Sequence, residues 1–155
     1  MPPTYAKDTD VTPESSRAEI ERILRRYGAT SFMYGWDANR AALVFELKGR
    51  RIQFVLPMPN RKDFLTTETG RRRTSDNAID EAFEQAVRQR WRALALVIKA
   101  RLESVEAGIE TFDQAFLANV MLPSGQTVGD FMVPQVQVAY ETGRMPAMLP
   151  GSVTP

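Results

Sequence analysis

The 155 residues carry 20 Lys and Arg against 19 Asp and Glu, with no histidine and no cysteine. A chain of this length with 43% hydrophobic residues is expected to fold as one domain around an ordinary core. The missing imidazole and thiol exclude histidine-dependent triads, zinc hydrolase sites, thiolate nucleophiles and disulfides, while carboxylate-bound magnesium or calcium stays compatible with the composition.

Residues 1–14 read as a loose arm, with Pro2, Pro3 and Pro13 and little to bury. Ser16 and Glu19 match a capping box, which predicts a helix start. Ile20, Ile23, Leu24 and Tyr27 then form an apolar stripe at helical spacing, and Gly28 suits the position past its end. Three alternating runs follow: Phe32, Tyr34 and Trp36; Leu43, Phe45 and Leu47; Ile52, Phe54 and Leu56. Turn chemistry at residues 37–40 and at Lys48-Gly49 separates them, and Pro57 and Pro59 end the third. Period two in three adjacent segments predicts an antiparallel meander with one buried face, covered by the first helix.

Residues 58–75 read as a long polar connection, of the kind that is usually functional or mobile. Ser75 or Asp76 opens a long helix whose apolar face widens between Trp91 and Ile98 and which Gly108 ends. Thr111 and Gln114 form a second capping box on a short helix. Thr127-Val128-Gly129-Asp130 starts the last helix. Pro134 sits awkwardly within it and predicts either a kink or a later start at Val133. Residues 144–155, with three prolines, read as an extended tail. The expected fold is α+β, with a domain over residues 15–143. No apolar run approaches the roughly 20 residues of a membrane span, and the first residues hold no apolar signal core. A soluble cytoplasmic protein with no membrane partner is the expectation.

Charge is unevenly placed. Thirteen of the twenty bases lie between Lys48 and Arg101, against six carboxylates. Beyond Arg101 one base, Arg144, faces six acids. A basic middle beside an acidic end predicts an anionic partner or a charged protein interface. Arg61, Lys62, Arg71, Arg72, Arg73 and Arg92 are the candidate phosphate contacts, with Arg50 and Arg51 adding to the field. Tyr34 and Trp36 are candidate stacking platforms for bases, although aromatics in strict alternation beside a covering helix more often belong to a core. Arg90 and Arg101 fall nearer the apolar stripe of the long helix, where a carboxylate or an interface would receive them. No paired carboxylates, activated serine or Gly-rich phosphate loop stands out, so neither catalysis nor a cofactor or metal is expected.

The stretches Arg26-Tyr27-Gly28-Ala29, residues 88–99 and Ala139-Tyr140-Glu141-Thr142-Gly143-Arg144-Met145-Pro146 resemble small phage and prophage proteins. That resemblance implies a phage-type accessory role and carries no catalytic residue. The order helix, meander, helix is also similar to double-stranded-RNA-binding domains, and Arg71-Arg72-Arg73 is placed like their basic cluster. The connection of residues 57–75 is longer than theirs, and the first hairpin lacks a histidine. The leading expectation is a non-enzymatic accessory protein that binds nucleic acid or a nucleotide anion. The alternative is a protein-interaction module, inhibiting a host protein or assembling with itself, through the basic middle, the acidic end or the proline-rich tail. Buried aromatics and arginines paired with Glu103, Glu106 or Glu110 would weaken the first.

Overall fold

The computed structural model describes residues 6–146. In chain order the elements are α1 (Pro13–Arg26), β1 (Ser31–Trp36), β2 (Arg40–Leu47) and β3 (Arg50–Pro57), then α2 (Asp76–Glu106), α3 (Phe112–Phe116) and α4 (Val128–Thr142). Short 3-10 turns occupy Arg61–Phe64 and Leu117–Asn119. The architecture is the expected α+β: one helix, an antiparallel sheet in the order β1-β2-β3, one long helix and shorter ones.

The strand pattern works as period two demands. The register aligns Phe32, Phe45 and Ile52 in one row across the sheet, and Tyr34, Leu43 and Phe54 in the next. Trp36, Ala41 and Leu56 form the third. These rows share one face, which packs on Ile20 and Leu24 of α1 and on Trp91, Leu94, Ala95, Ile98 and Leu102 of α2. Phe116 meets Phe45 and Phe54 edge-on, at centroid distances of 6.0 and 6.3 Å, and ties α3 into the core. The widened apolar face of α2 is thus the lid of the sheet.

Local differences from the sequence reading have clear causes. Helix α1 starts at Pro13, not Ser16: Thr12 Oγ1 accepts the amide of Ser15 at 3.1 Å, and proline at the first position needs no N–H partner. Ser16 lies inside the helix, fully buried, with its Oγ unpartnered. Residues 6–12, expected to be loose, are tied down. Ala6 is buried, and Gln85 Nε2 donates to the carbonyls of Lys7 and Thr9 at 3.1 and 2.9 Å. The connection of residues 58–75 is folded upon itself, with an Asn60–Asp63 capping box and a bridge between Thr66 and Arg72. Helix α4 spans Pro134 from a Thr127–Asp130 capping box, so the start at Val133 is not used. The expected arm residues 1–5 and tail residues 147–155 lie outside the described residues.

Helix α4 is the exception to the packing rule. None of its residues is buried. Its main contact is the Leu117–Asn119 turn, reached at Gly129, where an added Cβ would lie 2.8 Å from the Ala118 carbonyl oxygen. Glycine is therefore a packing requirement there. Gly129→Ala is expected to destabilise the protein by about 1–3 kcal/mol in chemical denaturation. Gly35→Ala, whose Cβ meets open space, should cost nothing measurable.

Candidate functional site

The five arginines and one lysine expected to bind phosphate divide into two groups. Three serve the fold. Arg61 Nε reaches Asp80 at 2.8 Å and its other arm reaches Asp76 at 3.4 Å, so the Asp80 carboxylate pushes the guanidinium pKa still higher. Arg73 is half-buried and donates to the carbonyls of Phe64 and Thr66 at 2.8 and 2.6 Å, holding the loop closed. Arg92 pairs with Glu19 at 2.5 Å and bolts α2 to α1, both side chains only a quarter exposed. Lys62, Arg71 and Arg72 form the other group. They are exposed, and none has a salt bridge among the described residues. Of the supporting bases, Arg50 pairs with Asp113 of the acidic third at 3.2 Å, and Arg51 pairs with Glu46 at 2.7 Å.

The aromatics also divide. Trp91 is buried and Phe32 half-buried, as core residues. Tyr34 is 49% exposed and Trp36 is 76% exposed, although their register places them on the helix-covered face. The helices stop short of that corner of the sheet. The Arg17 guanidinium lies over both the Tyr34 ring, at 4.9 Å, and the Trp91 ring, at 5.0 Å. Beside Trp36, the Asp37 carboxylate accepts the amides of Asn39 and Arg40, which hold its pKa below the ordinary value.

Arg90 and Arg101 find no carboxylate among the described residues. Arg101 donates to Asn119 Oδ1 at 2.7 Å and lies over Phe54 and Phe116. Arg90 Nε is buried with no partner, in a groove between β3 and α2 floored by Phe54, Leu56 and Leu94. Glu110 accepts from Ser104 at 2.8 Å, and Glu106 receives Tyr27, whose hydroxyl pKa it raises. The acids near the end of α2 therefore neutralise no arginine of the basic middle. No cluster of three or more Asp or Glu that could hold a metal occurs among the described residues. Nor is any described helix long and apolar enough to cross a membrane.

What sequence reasoning missed is a set of apolar surfaces. On α4, Val133, Val136 and Tyr140 recur at i, i+3 and i+7 and are 67%, 41% and 87% exposed. Val133 and Pro134 border a hollow shared with Gln53 and Val55 of the sheet's outer face. Only Asp130 and Glu141 are charged along this helix. The signal was present in the sequence, since an apolar stripe beside the polar face of Asp130, Gln137 and Glu141 implies burial of that stripe against something. No protein family, curated protein or solved structure matches this chain.

The division of the bases gives a stability test. Arg73→Ala is expected to loosen residues 64–73 and lower unfolding stability by about 1–3 kcal/mol, because two carbonyls lose a charged donor. Arg72→Ala, with no partner to lose, should leave the denaturation midpoint unchanged.

Proposed function

We propose that the protein is a non-enzymatic interaction module that binds a protein partner through the exposed apolar side of α4. The observation that carries this reading is the state of that helix. Fifteen residues are helical, none is buried, and the stripe of Val133, Val136 and Tyr140 faces solvent. An amphipathic or apolar helix gains most of its stability from packing, so a partner groove supplies what the domain does not. The sparse charge of α4 suits a hydrophobic groove rather than a phosphate backbone. The absence of histidine and cysteine from the sequence agrees with a role in binding.

The test replaces Val133, Val136 and Tyr140 together with Asp and uses the protein as bait in cells of its source. The wild type is expected to retain a discrete protein that the variant releases, with circular dichroism unchanged. Identical retention by both proteins would contradict the reading.

A second reading, nucleic acid or nucleotide binding, is favoured by one specific observation. Trp36 is exposed, and Lys62, Arg71 and Arg72 have no internal ion pair. Base stacking and phosphate contact need those two features together. Fluorescent oligonucleotides titrated at about 50 and 200 mM salt test it. Binding that falls steeply with salt and disappears in Lys62/Arg71/Arg72→Ala supports this reading, and no binding at the lower salt removes it.

A further inference from the structure

The two edges of the sheet are treated differently. Along β3, the chain returns after α3 to cover the edge. Met121 donates its amide to the Arg51 carbonyl at 2.8 Å, Asn119 Nδ2 donates to the Gln53 carbonyl at 3.0 Å, and Ile52 bridges to Val120. Along β1 no described segment returns. The strand is the outer one of the sheet, and among the described residues its ladder is with β2 alone.

The phase of that ladder fixes which backbone groups are left over. Asp37 donates to the Arg40 carbonyl at 2.9 Å, so these two form a hydrogen-bonded pair. Bonded pairs recur at every second residue of an antiparallel ladder. Gly35, Met33 and Ser31 therefore point their amides and carbonyls at β2. Phe32, Tyr34 and Trp36 point theirs outward. The β2–β3 ladder agrees, because Met58 donates to the Asn39 carbonyl at 2.9 Å and so assigns the alternate residues of β2 to β3. No side chain or loop among the described residues bonds to the outward groups of Phe32, Tyr34 or Trp36.

Nor is this edge defended. Monomeric proteins blunt a free edge with charge, proline, a bulge or a cover. The strand is Ser-Phe-Met-Tyr-Gly-Trp, without a charge or a proline, and its register with β2 runs without a bulge. Met33, Tyr34 and Trp36 are 59%, 49% and 76% exposed.

We infer that the free edge of β1 pairs antiparallel with β1 of a second copy of this chain, about a two-fold axis at Tyr34, joining the two sheets into one. A second copy is the occupant that fits because this edge is self-complementary. A two-fold normal to the sheet keeps each side chain on its own face, so residues of equal parity must oppose each other. An axis at Tyr34 sets Tyr34 against Tyr34 and Phe32 against Trp36, and these are the three residues whose backbone groups point outward. The same axis brings the aromatic side chains of both copies onto one face. On the other face it lays each Met33 over the other copy's Gly35, above which no atom lies within 4 Å of an added Cβ. No charged side chain of either strand meets its like, since the strand has none. Arg17, over Tyr34, carries its own counter-charge in Glu14 at 3.5 Å. The turn that follows β1 would land beside Thr30 and Ser31 of the other copy, in a recess also lined by Arg25 and Glu21, which pair with each other at 2.9 Å. Growth stops at two copies because both remaining edges are the covered β3 edges.

This inference extends the interaction reading to a surface separate from α4, so either can fail while the other stands. The chain has no cysteine, which makes single cysteines clean reporters. Two copies of Tyr34 in a bonded pair would have Cα atoms about 5.5 Å apart, within disulfide range. Two copies of Trp36 would lie about 14 Å apart. Full-length Tyr34→Cys is therefore expected to oxidise readily to a covalent dimer, and Trp36→Cys, although more exposed, is not. Sedimentation velocity of the wild type across roughly 1 µM to 1 mM should show a monomer–dimer equilibrium. Tyr34→Pro removes an outward amide, which an edge strand tolerates, together with the ring beneath Arg17; against Tyr34→Ala, which removes the ring alone, it should weaken that dimer about tenfold or more. A wild type that stays monomeric throughout would overturn the inference. So would a dimer in which the two cysteines cross-link equally, or one that Tyr34→Pro leaves intact. If Tyr34→Pro does not fold, the cysteine pair and the wild-type sedimentation decide. A dimer that forms only through α4 would appear as loss of association in the α4 aspartate variant with no selective cross-link at Tyr34.

Discussion

The packing of α2 and α1 onto one face of the sheet is the constraint from which the other features follow. Phe45, Ile52, Leu43 and Ala41 point into that layer and are nearly inaccessible to water. Each large buried side chain of this kind contributes about 1.5–3 kcal/mol of transfer free energy. The layer is one helix pair wide, and it does not cover the whole sheet. Within the third row, Ala41 is buried, Leu56 is half-buried and Trp36 is mostly exposed. The core therefore ends inside the sheet, before β1 does.

Two consequences share that origin. The corner of the sheet beyond the helices shows Tyr34 and Trp36, and the outer face shows Met33 and Val55. The C-terminal segment spends its contacts on the β3 edge, through Asn119, Val120 and Met121, and then leaves the domain as α4. One edge is thereby closed and the other left open, and the last helix has little to pack on. The protein resembles a domain whose apolar surface exceeds what its own elements can cover, and surfaces of that kind mark interaction sites. Its internally bonded arginines point the same way. Arg61, Arg73 and Arg92 hold loop and helices together, which lowers the number of bases left for an external anion.

Much of this fold was legible in local pattern. Period two located the strands, and the apolar stripe of α2 located its buried middle. The start of α1 was legible too, because Thr12-Pro13-Glu14 joins a capping residue to proline at the first helical position. The competing Ser16 and Glu19 pattern misled because both residues have tertiary roles, Ser16 in a buried seam and Glu19 opposite Arg92. The site was harder to see. Alternation assigns Tyr34 and Trp36 to a face, but whether a helix reaches that far is a property of packing. The arginines looked equivalent in sequence because their partners are distant: Glu19 is 73 residues from Arg92, and Asp80 is 19 from Arg61. Even the open edge follows from a ladder phase that one hydrogen bond, Asp37 to Arg40, decides.

The measurement that reaches the central claim most directly is amide hydrogen exchange of Phe32, Tyr34 and Trp36 at two protein concentrations. Among the described residues these amides have no acceptor, so they report on what lies beyond the β1 edge. A β1–β1 dimer protects them in concentrated solution and leaves them exchange-competent on dilution, while Met33 and Gly35, bonded to β2, change little. Rapid exchange of Phe32, Tyr34 and Trp36 at both concentrations would contradict it, because the edge would then be open to water with no second copy to close it.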